Sequence, residues 1–206
     1  YTLRSKIPGQ YNSMALRSIN DWVVKLALMP EEGVTEVLSF GGKVKQYQVL
    51  LDPNRLLSFD LKIDEVLEKI EKNNRNAGGW YMDRGAEQLV IRGVGWIRAG
   101  KNGIKDIEEI PLKTHDGTVV RVKDVAKVKF GAEIRQGAVT MTTKSASGKA
   151  IPQGEVVVGI VLKRLGANTK STIDGVKERM ENLKITLPDG IILEPFYDQA
   201  DLVNKA

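Results

Sequence analysis

Residues 14–40, MALRSINDWVVKLALMPEEGVTEVLSF, hold the pattern that decides the fold. Four apolar residues in this stretch recur at the spacing of one helix face: Leu16, Ile19, Val23 and Leu26. The spacing predicts a helix from about Met14 to Met29, ended by the turn residues of Pro30–Gly33. The next residues, Val34–Phe40, are predicted to form a strand. The stretch therefore indicates a helix followed by a strand.

The C-terminal part of the chain repeats this plan. Glu155–Lys163 is rich in Val and Ile and predicts a strand. After it, four apolar residues again have the spacing of one helix face: Ile173, Val176, Met180 and Leu183. Pro188–Gly190 ends this helix, and Ile191–Tyr197 predicts another strand. With an extended segment at Tyr1–Ile7, the two ends of the chain supply two β-α-β halves. They predict an α+β fold with one ferredoxin-like sheet and both helices on one of its faces.

The chain between the two halves is too long to be a loop within a compact domain, since it spans about 100 residues. A helix is predicted around Ile63–Ile70 from its apolar spacing. Trp80–Met82 and Glu87–Val94 are predicted to be hairpin arms around Asp83–Gly85, because Asp and Gly tolerate the backbone of tight turns. The middle of the chain is therefore predicted to be an inserted α+β subdomain.

Composition excludes several classes of function. The chain has 206 residues, no Cys and one His, which removes disulfide frameworks, thiolate catalysis and Cys- or His-rich metal sites. Its net charge is +5, but Lys and Arg alternate with acidic residues along the chain, so we expect no nucleic-acid binding. No nucleophile or carboxylate pair stands in a catalytic context, and no apolar run approaches the length of a membrane span. We therefore expect neither an enzyme nor a cofactor.

Phe40 and Tyr197 are each predicted at the end of a strand and beside a turn signal, Gly41 and Asp198 respectively. Two interpretations stay open. Both rings could cap the core, or both could line a cleft that is completed by a partner domain. The chain also starts inside an extended segment and without an initiator Met, which suggests a piece of a longer protein.

Several segments, in order along the whole chain, carry a family resemblance. They are Leu16–Ser18 with Trp22, Val34–Val37, Gly41–Gly42, Lys45–Tyr47, Leu51–Leu56, Asn76–Gly79, Val120–Val128 and Pro195–Asp198. Each is weak alone, but their order and spacing together are specific. On these segments the chain resembles the heavy-metal efflux branch (CzcA and CusA type) of the resistance-nodulation-division transporters.

The resemblance implies a part of the first periplasmic loop of an inner-membrane pump. Such a pump is a homotrimeric proton antiporter that works with a periplasmic adaptor and an outer-membrane channel, and its substrate is a metal cation. Residues 1–56 and 137–206 would be the two halves of a porter subdomain, and residues 57–136 an inserted docking subdomain. Asp198–Ala206 would lead toward a membrane helix outside this chain. An arm that reaches a neighbouring protomer would be formed by Gly79, Trp80, Tyr81, Met82, Asp83, Arg84 and Gly85.

The resemblance also implies a substrate path. Positions matching Leu38, Phe40 and Tyr197 face the substrate cleft in multidrug relatives, and Glu36 is the nearest acidic candidate on the same strand face. The methionine site of copper and silver pumps and the proton-carrying acids belong to other parts of such pumps, so we expect no metal ligands in this chain. The implied function is transport by alternating access. A stand-alone periplasmic binding or adaptor module is the alternative.

Overall fold

The computed structural model describes residues 1–7, 9–115 and 117–199. These residues form two compact units. The first combines Tyr1–Lys45 with the chain from Ala132 onward, and the second is Gln46–Gly131. The chain therefore leaves the first unit, builds the second and returns to the first.

The helices and strands follow one another along the whole described chain. In order they are β1 (Thr2–Ser5), α1 (Ser13–Ile19), a π-helical segment (Asn20–Val24), α2 (Lys25–Leu28), β2 (Val34–Phe40), β3 (Lys45–Leu51), α3 (Pro53–Ser58), α4 (Ile63–Asn73), β4 (Ala77–Arg84), β5 (Glu87–Gly93), α5 (Lys101–Glu108), β6 (Pro111–His115), β7 (Thr118–Arg121), α6 (Val122–Val125), β8 (Ala126–Ala132), β9 (Thr140–Lys144), β10 (Ala150–Glu155), β11 (Val157–Lys163), α7 (Thr169–Thr186) and β12 (Ile191–Glu194).

The first unit is built on a four-stranded sheet with the strand order β12-β1-β11-β2. Neighbouring strands are antiparallel throughout, so β1 and β2 run in the same direction with β11 between them. The helical stretch from α1 to α2 connects β1 to β2, and α7 connects β11 to β12. This is the ferredoxin-like topology of two β-α-β halves, and the predicted α+β fold is confirmed.

The core of the first unit draws apolar side chains from both halves of the chain. Its most deeply buried members are Leu3, Leu16, Val24, Leu28, Val37, Val157, Met180 and Leu193. Val176 and Met180, four residues apart on α7, are both buried as their helical spacing predicted. Both ends of the chain therefore share one core.

The predicted buried face of the first helix is wrong from Val23 onward. Val23 and Leu26 are 41% and 51% exposed, whereas Val24 is fully buried. The reason is the π-helical segment, in which Lys25 donates its backbone N–H to the Asn20 carbonyl, five residues earlier instead of four. The wider turn rotates the rest of the helix, so the inward face moves by one residue.

The second unit has its own core. It is made of Leu56, Leu61, Val66, Ile107, Ile110, Leu112, Val120, Val122, Val125 and Val128. β3 and β8 pair with each other at the ends of this unit. This pairing places the unit at Gln46–Gly131, whereas the boundaries expected from the family resemblance fall after residues 56 and 136.

β4 and β5 form the predicted hairpin, with Tyr81 opposite Val90 and Arg84 opposite Glu87. Every residue of both strands is exposed. β9 and β10 form a second hairpin that belongs to the first unit.

Candidate functional site

The face of β2 that carries Glu36, Leu38 and Phe40 is turned away from the core. Val37 lies between them in sequence and is fully buried, and side chains alternate along a strand. Leu38 is half-buried and Phe40 is 46% exposed. The three predicted path residues of β2 therefore share one open sheet face.

β11 continues this open face. Directly opposed residues share a face of the sheet, and β2 and β11 oppose each other in three such pairs: Glu36 with Leu162, Leu38 with Ile160, and Phe40 with Val158. Ile160 and Leu162 are exposed. The open face is therefore apolar apart from Glu36 at one edge.

Tyr197 does not end a strand, contrary to the prediction. β12 ends at Glu194, because Pro195 follows it and has no backbone N–H for a strand ladder. Tyr197 lines a cavity of about 570 Å³ together with Ile160 and Leu162. The described lining residues of this cavity do not include Leu38 or Phe40. The structure thus brings Tyr197 to β11, one strand away from the predicted residues of β2.

A second recess, of about 330 Å³, lies at the β2 edge of the sheet and was not predicted. Its lining residues are Arg17, Ser18, Asp21, Trp22, Lys25, Leu38, Ser39, Val44 and Lys45. The Arg17 guanidinium donates to Asp21 Oδ2 at 2.7 Å and to the Gly41 carbonyl at 2.8 Å. These hydrogen bonds connect the first helical stretch to the turn after β2, so Arg17 has a structural role here.

A buried polar network stands behind this recess. The Tyr1 hydroxyl donates to Asn20 Oδ1 at 2.9 Å, and Asn20 Nδ2 donates to Ser39 Oγ at 2.8 Å. Burial raises the pKa of the Tyr1 hydroxyl above its usual range, and the nearby Asp21 carboxylate raises it further. Asn20 lies one ordinary helical turn after the buried Leu16, since its backbone N–H bonds to the Leu16 carbonyl, and it was missed because a search for apolar spacing passes over a polar residue.

The described residues contain no group of three or more His, Cys, Asp or Glu side chains placed to hold a metal ion.

The β4–β5 hairpin presents large apolar side chains to solvent. Trp80 is 83% and Val90 is 69% exposed, and Tyr81 and Met82 are exposed as well. Apolar side chains concentrated on one exposed element are typical of an interaction surface. All seven residues predicted for the arm lie in this hairpin, Gly79–Arg84 on β4 and Gly85 in its turn.

The comparisons with known proteins agree with this fold. The family model described as the AcrB/AcrD/AcrF family matches residues 1–206, and the chain belongs to this family. Protein HelA of Legionella pneumophila is 36% identical over 99% of the chain. The cation efflux system protein CusA of Escherichia coli K12 is 34% identical over 96%, and the cobalt-zinc-cadmium resistance protein CzcA of Cupriavidus metallidurans is 35% identical over 95%.

A solved structure is similar as well. The crystal structure of a heavy metal efflux pump superimposes on 99% of the chain with a TM-score of 0.76 and 26% sequence identity. The chain covers 19% of that structure and 17–18% of the three named relatives. The resemblance to the heavy-metal efflux branch is thereby confirmed, and the chain corresponds to about a fifth of such a pump. None of its described helices combines the length and the apolar character that crossing a membrane requires.

Proposed function

We propose that this chain is the periplasmic porter and docking portion of a proton-driven pump that exports heavy-metal cations. The observation that carries the proposal is the end-to-end similarity to part of a heavy metal efflux pump. In the proposal the first unit is the porter subdomain and the second unit is the docking subdomain. The Escherichia coli relative is named a cation efflux system protein and the similar solved structure a heavy metal efflux pump, which supports transport over catalysis.

The mechanism is a conformational one. Porter subdomains of a pump rock against one another, and the cleft between them opens to one side at a time, while proton flow through the membrane part supplies the free energy. The open face of β2 and β11 suits one wall of such a cleft, because it is apolar apart from Glu36. Glu36 at its edge supplies a single carboxylate, which attracts a cation without enclosing it.

Four residues are proposed to line the substrate path: Glu36, Leu38, Phe40 and Tyr197. The first three share the open sheet face, and Tyr197 lines the cavity on the far side of β11. Leu38 is the most informative position for a test, because a larger side chain there would project from the sheet into the cleft.

The test is metal resistance conferred by the full-length pump in a bacterial strain that lacks its own metal exporters. We expect the pump to raise the tolerated concentration of at least one heavy-metal cation. Leu38→Trp should abolish most of this gain by narrowing the cleft, and Glu36→Gln should reduce it. Matched controls are Leu26→Trp on the exposed helix face and Glu32→Gln in the turn before β2, which should leave resistance unchanged. A pump that raises tolerance to none of Zn²⁺, Co²⁺, Cd²⁺, Ni²⁺, Cu⁺ and Ag⁺ would contradict the proposal.

We further propose that the β4–β5 hairpin is the arm that docks on a neighbouring protomer in a homotrimer, and that a periplasmic adaptor and an outer-membrane channel complete the assembly. A charge at Val90 should weaken the trimer, since an apolar contact would lose area and gain a desolvated charge. The measurement is the fraction of trimer in the detergent-solubilised full-length pump. Val119→Asp on the β6–β7 hairpin is the matched control, because Val119 is also exposed. Equal trimer fractions for Val90→Asp and the parent would reject the arm.

A further inference from the structure

The open face of the sheet continues from β11 across β1 to β12. Thr2 is opposite Val158 of β11 on one side and opposite Glu194 of β12 on the other. Leu3 is fully buried in the core, so its neighbour Thr2 points to the opposite face. Val158 is in turn opposite Phe40. These residues form one row across the open face, because opposed residues share a face. Glu194 and Phe40 at its two ends are about 14 Å apart at ordinary strand spacing.

A polar cluster lies at the Glu194 end of this row. Arg4 follows Thr2 by two residues on β1, so it points to the same face. Its guanidinium donates from Nη2 to Glu194 Oε1, and from Nη1 to Gln153 Oε1 at 3.1 Å. Gln153 belongs to β10, and its Nε2 donates to Thr143 Oγ1 of β9 at 2.9 Å. Arg4 therefore joins the open sheet face to the β9–β10 hairpin.

The two oxygens that Arg4 contacts are of the kind that a metal cation would bind. Carboxylate and amide oxygens are both ligands of divalent metal cations in proteins. The Glu194 side chain is 38% exposed, so an ion on the open face can reach its carboxylate, whereas the Arg4 side chain is only 15% exposed. Arg4 thus fills, as a fixed positive charge, the place between two oxygens where a cation would otherwise bind.

Arg4 also sets the charge of the open face. By strand alternation the charged side chains of this face are Glu36, Arg4 and Glu194. Arg4 neutralises Glu194. Among the residues that the structure describes, Glu36 is then the carboxylate of this face without an ion-pair partner. A cation that crosses the face therefore meets one uncompensated carboxylate, and it lies on β2.

Stability alone does not explain an arginine at this position. Nε of Arg4 is buried and has no hydrogen-bond partner among the described residues. A buried donor without an acceptor costs free energy, and apolar residues often replace an ion pair in a protein interior without loss of stability. The base of the hairpin is also held by a separate ion pair, between Arg135 and Glu155. These observations favour a role for the charge of Arg4 rather than for its packing.

We infer that Arg4 is a specificity-determining residue of the substrate path. It occupies the oxygens of Glu194 and Gln153, so a transported cation is not held by both and makes its contact at Glu36 instead. This inference rests on the proposed function, because it takes the open face as a wall of the path. The principle is specificity by exclusion, in which a fixed charge of the same sign as the substrate closes the stronger site.

The first experiment measures cation binding to the 206-residue chain with Co²⁺ as the probe. Arg4→Met removes the charge and keeps an apolar side chain of similar reach. Co²⁺ is paramagnetic and broadens nearby NMR signals. We expect it to broaden the backbone amide signals of Glu194 and Gln153 at a concentration at least tenfold lower in this variant than in the parent. Adding Glu194→Gln to Arg4→Met should restore the parent value. Equal broadening in Arg4→Met and the parent would overturn the proposal.

Lys184→Met is the matched control, because it also removes one positive charge from an ion pair. The Lys184 ammonium donates to Glu181 Oε1 on the exposed side of α7, with no amide oxygen beside it. It should shift the Co²⁺ concentration by less than twofold. A shift at Glu181 as large as that at Glu194 would reduce the effect to net charge and reject the site. Arg4→Gln keeps a hydrogen bond to Glu194 without the charge, so it serves as the second variant should Arg4→Met not fold.

The second experiment measures the metal tolerance conferred by the full-length pump. A cation held at Glu194 leaves the path slowly, so Arg4→Met should lower the gain in tolerance at least twofold. Glu194→Gln in the same chain should restore it. A loss that Glu194→Gln does not restore would show a merely structural role for Arg4 and overturn the proposal. A parent pump that confers no tolerance contradicts the proposed function instead, and the Co²⁺ titration tests Arg4 independently of that result.

Discussion

The Tyr1 hydroxyl donates a 2.9 Å hydrogen bond to Oδ1 of Asn20, and Asn20 is completely buried. The Asn20 amide group in turn donates to Ser39 Oγ at 2.8 Å. The three side chains therefore connect the residue before β1, the π-helical segment and β2. Buried polar groups that are fully paired select one arrangement of a core, because any other arrangement leaves them without partners.

Removal of the Asn20 amide should destabilise the first unit strongly. Asn20→Ala leaves the Tyr1 hydroxyl and Ser39 without their partner and opens a small cavity, which together should cost about 3 kcal/mol of unfolding free energy. Urea denaturation followed by circular dichroism measures the loss. Asn102→Ala, an exposed position on α5, should change stability by less than about 0.5 kcal/mol. A loss below ~1 kcal/mol for Asn20→Ala would show that the network contributes little.

Stability should fall at alkaline pH because of Tyr1. Its folded-state pKa is raised by burial and by Asp21, so the hydroxyl keeps its proton in the folded state after the unfolded chain has lost it. The contribution is complete below pH ~10 and declines above it by up to ~1.4 kcal/mol per pH unit. Denaturation curves at pH 8 to 11 should show a steeper decline for the parent chain than for Tyr1→Phe. Parallel pH profiles would contradict the assignment.

Gly41 should tolerate a methyl group poorly. It has φ of +74°, and a Cβ there would lie 2.6 Å from the Val156 carbonyl oxygen. Gly148 has a similar φ of +79°, but a Cβ there meets nothing within 4 Å. Gly148→Ala should therefore cost only the backbone strain, about 1 kcal/mol, and Gly41→Ala at least about 2 kcal/mol more. Chemical denaturation of both variants isolates the effect of the close approach.

Asp106 should titrate far below a normal aspartate. The Arg98 side chain donates to both of its carboxylate oxygens, and with the Arg98 backbone N–H it lowers the pKa of Asp106 to about 2. The contribution to stability is present above pH ~3.9 and is lost as the pH falls toward 2. NMR titration of the carboxyl carbon should show the low value in the parent chain. In Arg98→Ala it should return toward the usual range, whereas Arg92→Ala, on the exposed hairpin, should leave it unchanged.

The 206-residue chain should bind transition-metal ions weakly. It has no Cys and one His, and the described residues hold no cluster of three potential ligands. Isothermal titration calorimetry with Zn²⁺, Co²⁺, Cu⁺ and Ag⁺ should give no site with Kd below ~0.1 mM. A saturable submicromolar site would favour a stand-alone binding module over the porter portion of an efflux pump.

The sequence predicted most of the fold because the apolar spacing of α7 and the alternation of β2 both coincide with the observed burial of Val176, Met180 and Val37. It failed at the first helix for a physical reason. The five-residue hydrogen-bond step at Asn20 shifts every later residue, and no residue type specifies such a turn.

The candidate site was predictable only in part. Alternation along β2 was sufficient to place Glu36, Leu38 and Phe40 on one face. The position of Tyr197 depends on where β12 ends and on a cavity made by non-adjacent segments, neither of which local spacing encodes. The Pro at position 195 was the available signal for the strand end, since proline lacks the N–H that a ladder needs.

The two places where the chain crosses between the units are close together. The first unit ends its first part at Lys45 and resumes at Ala132. Next to these two residues, the Glu133 N–H donates to the Val44 carbonyl at 2.9 Å. A guest sequence whose two ends meet at one hydrogen bond adds little loop-closure entropy to its host. The second unit is therefore an insertion that a shorter or different segment could replace without changing the strand order of the four-stranded sheet.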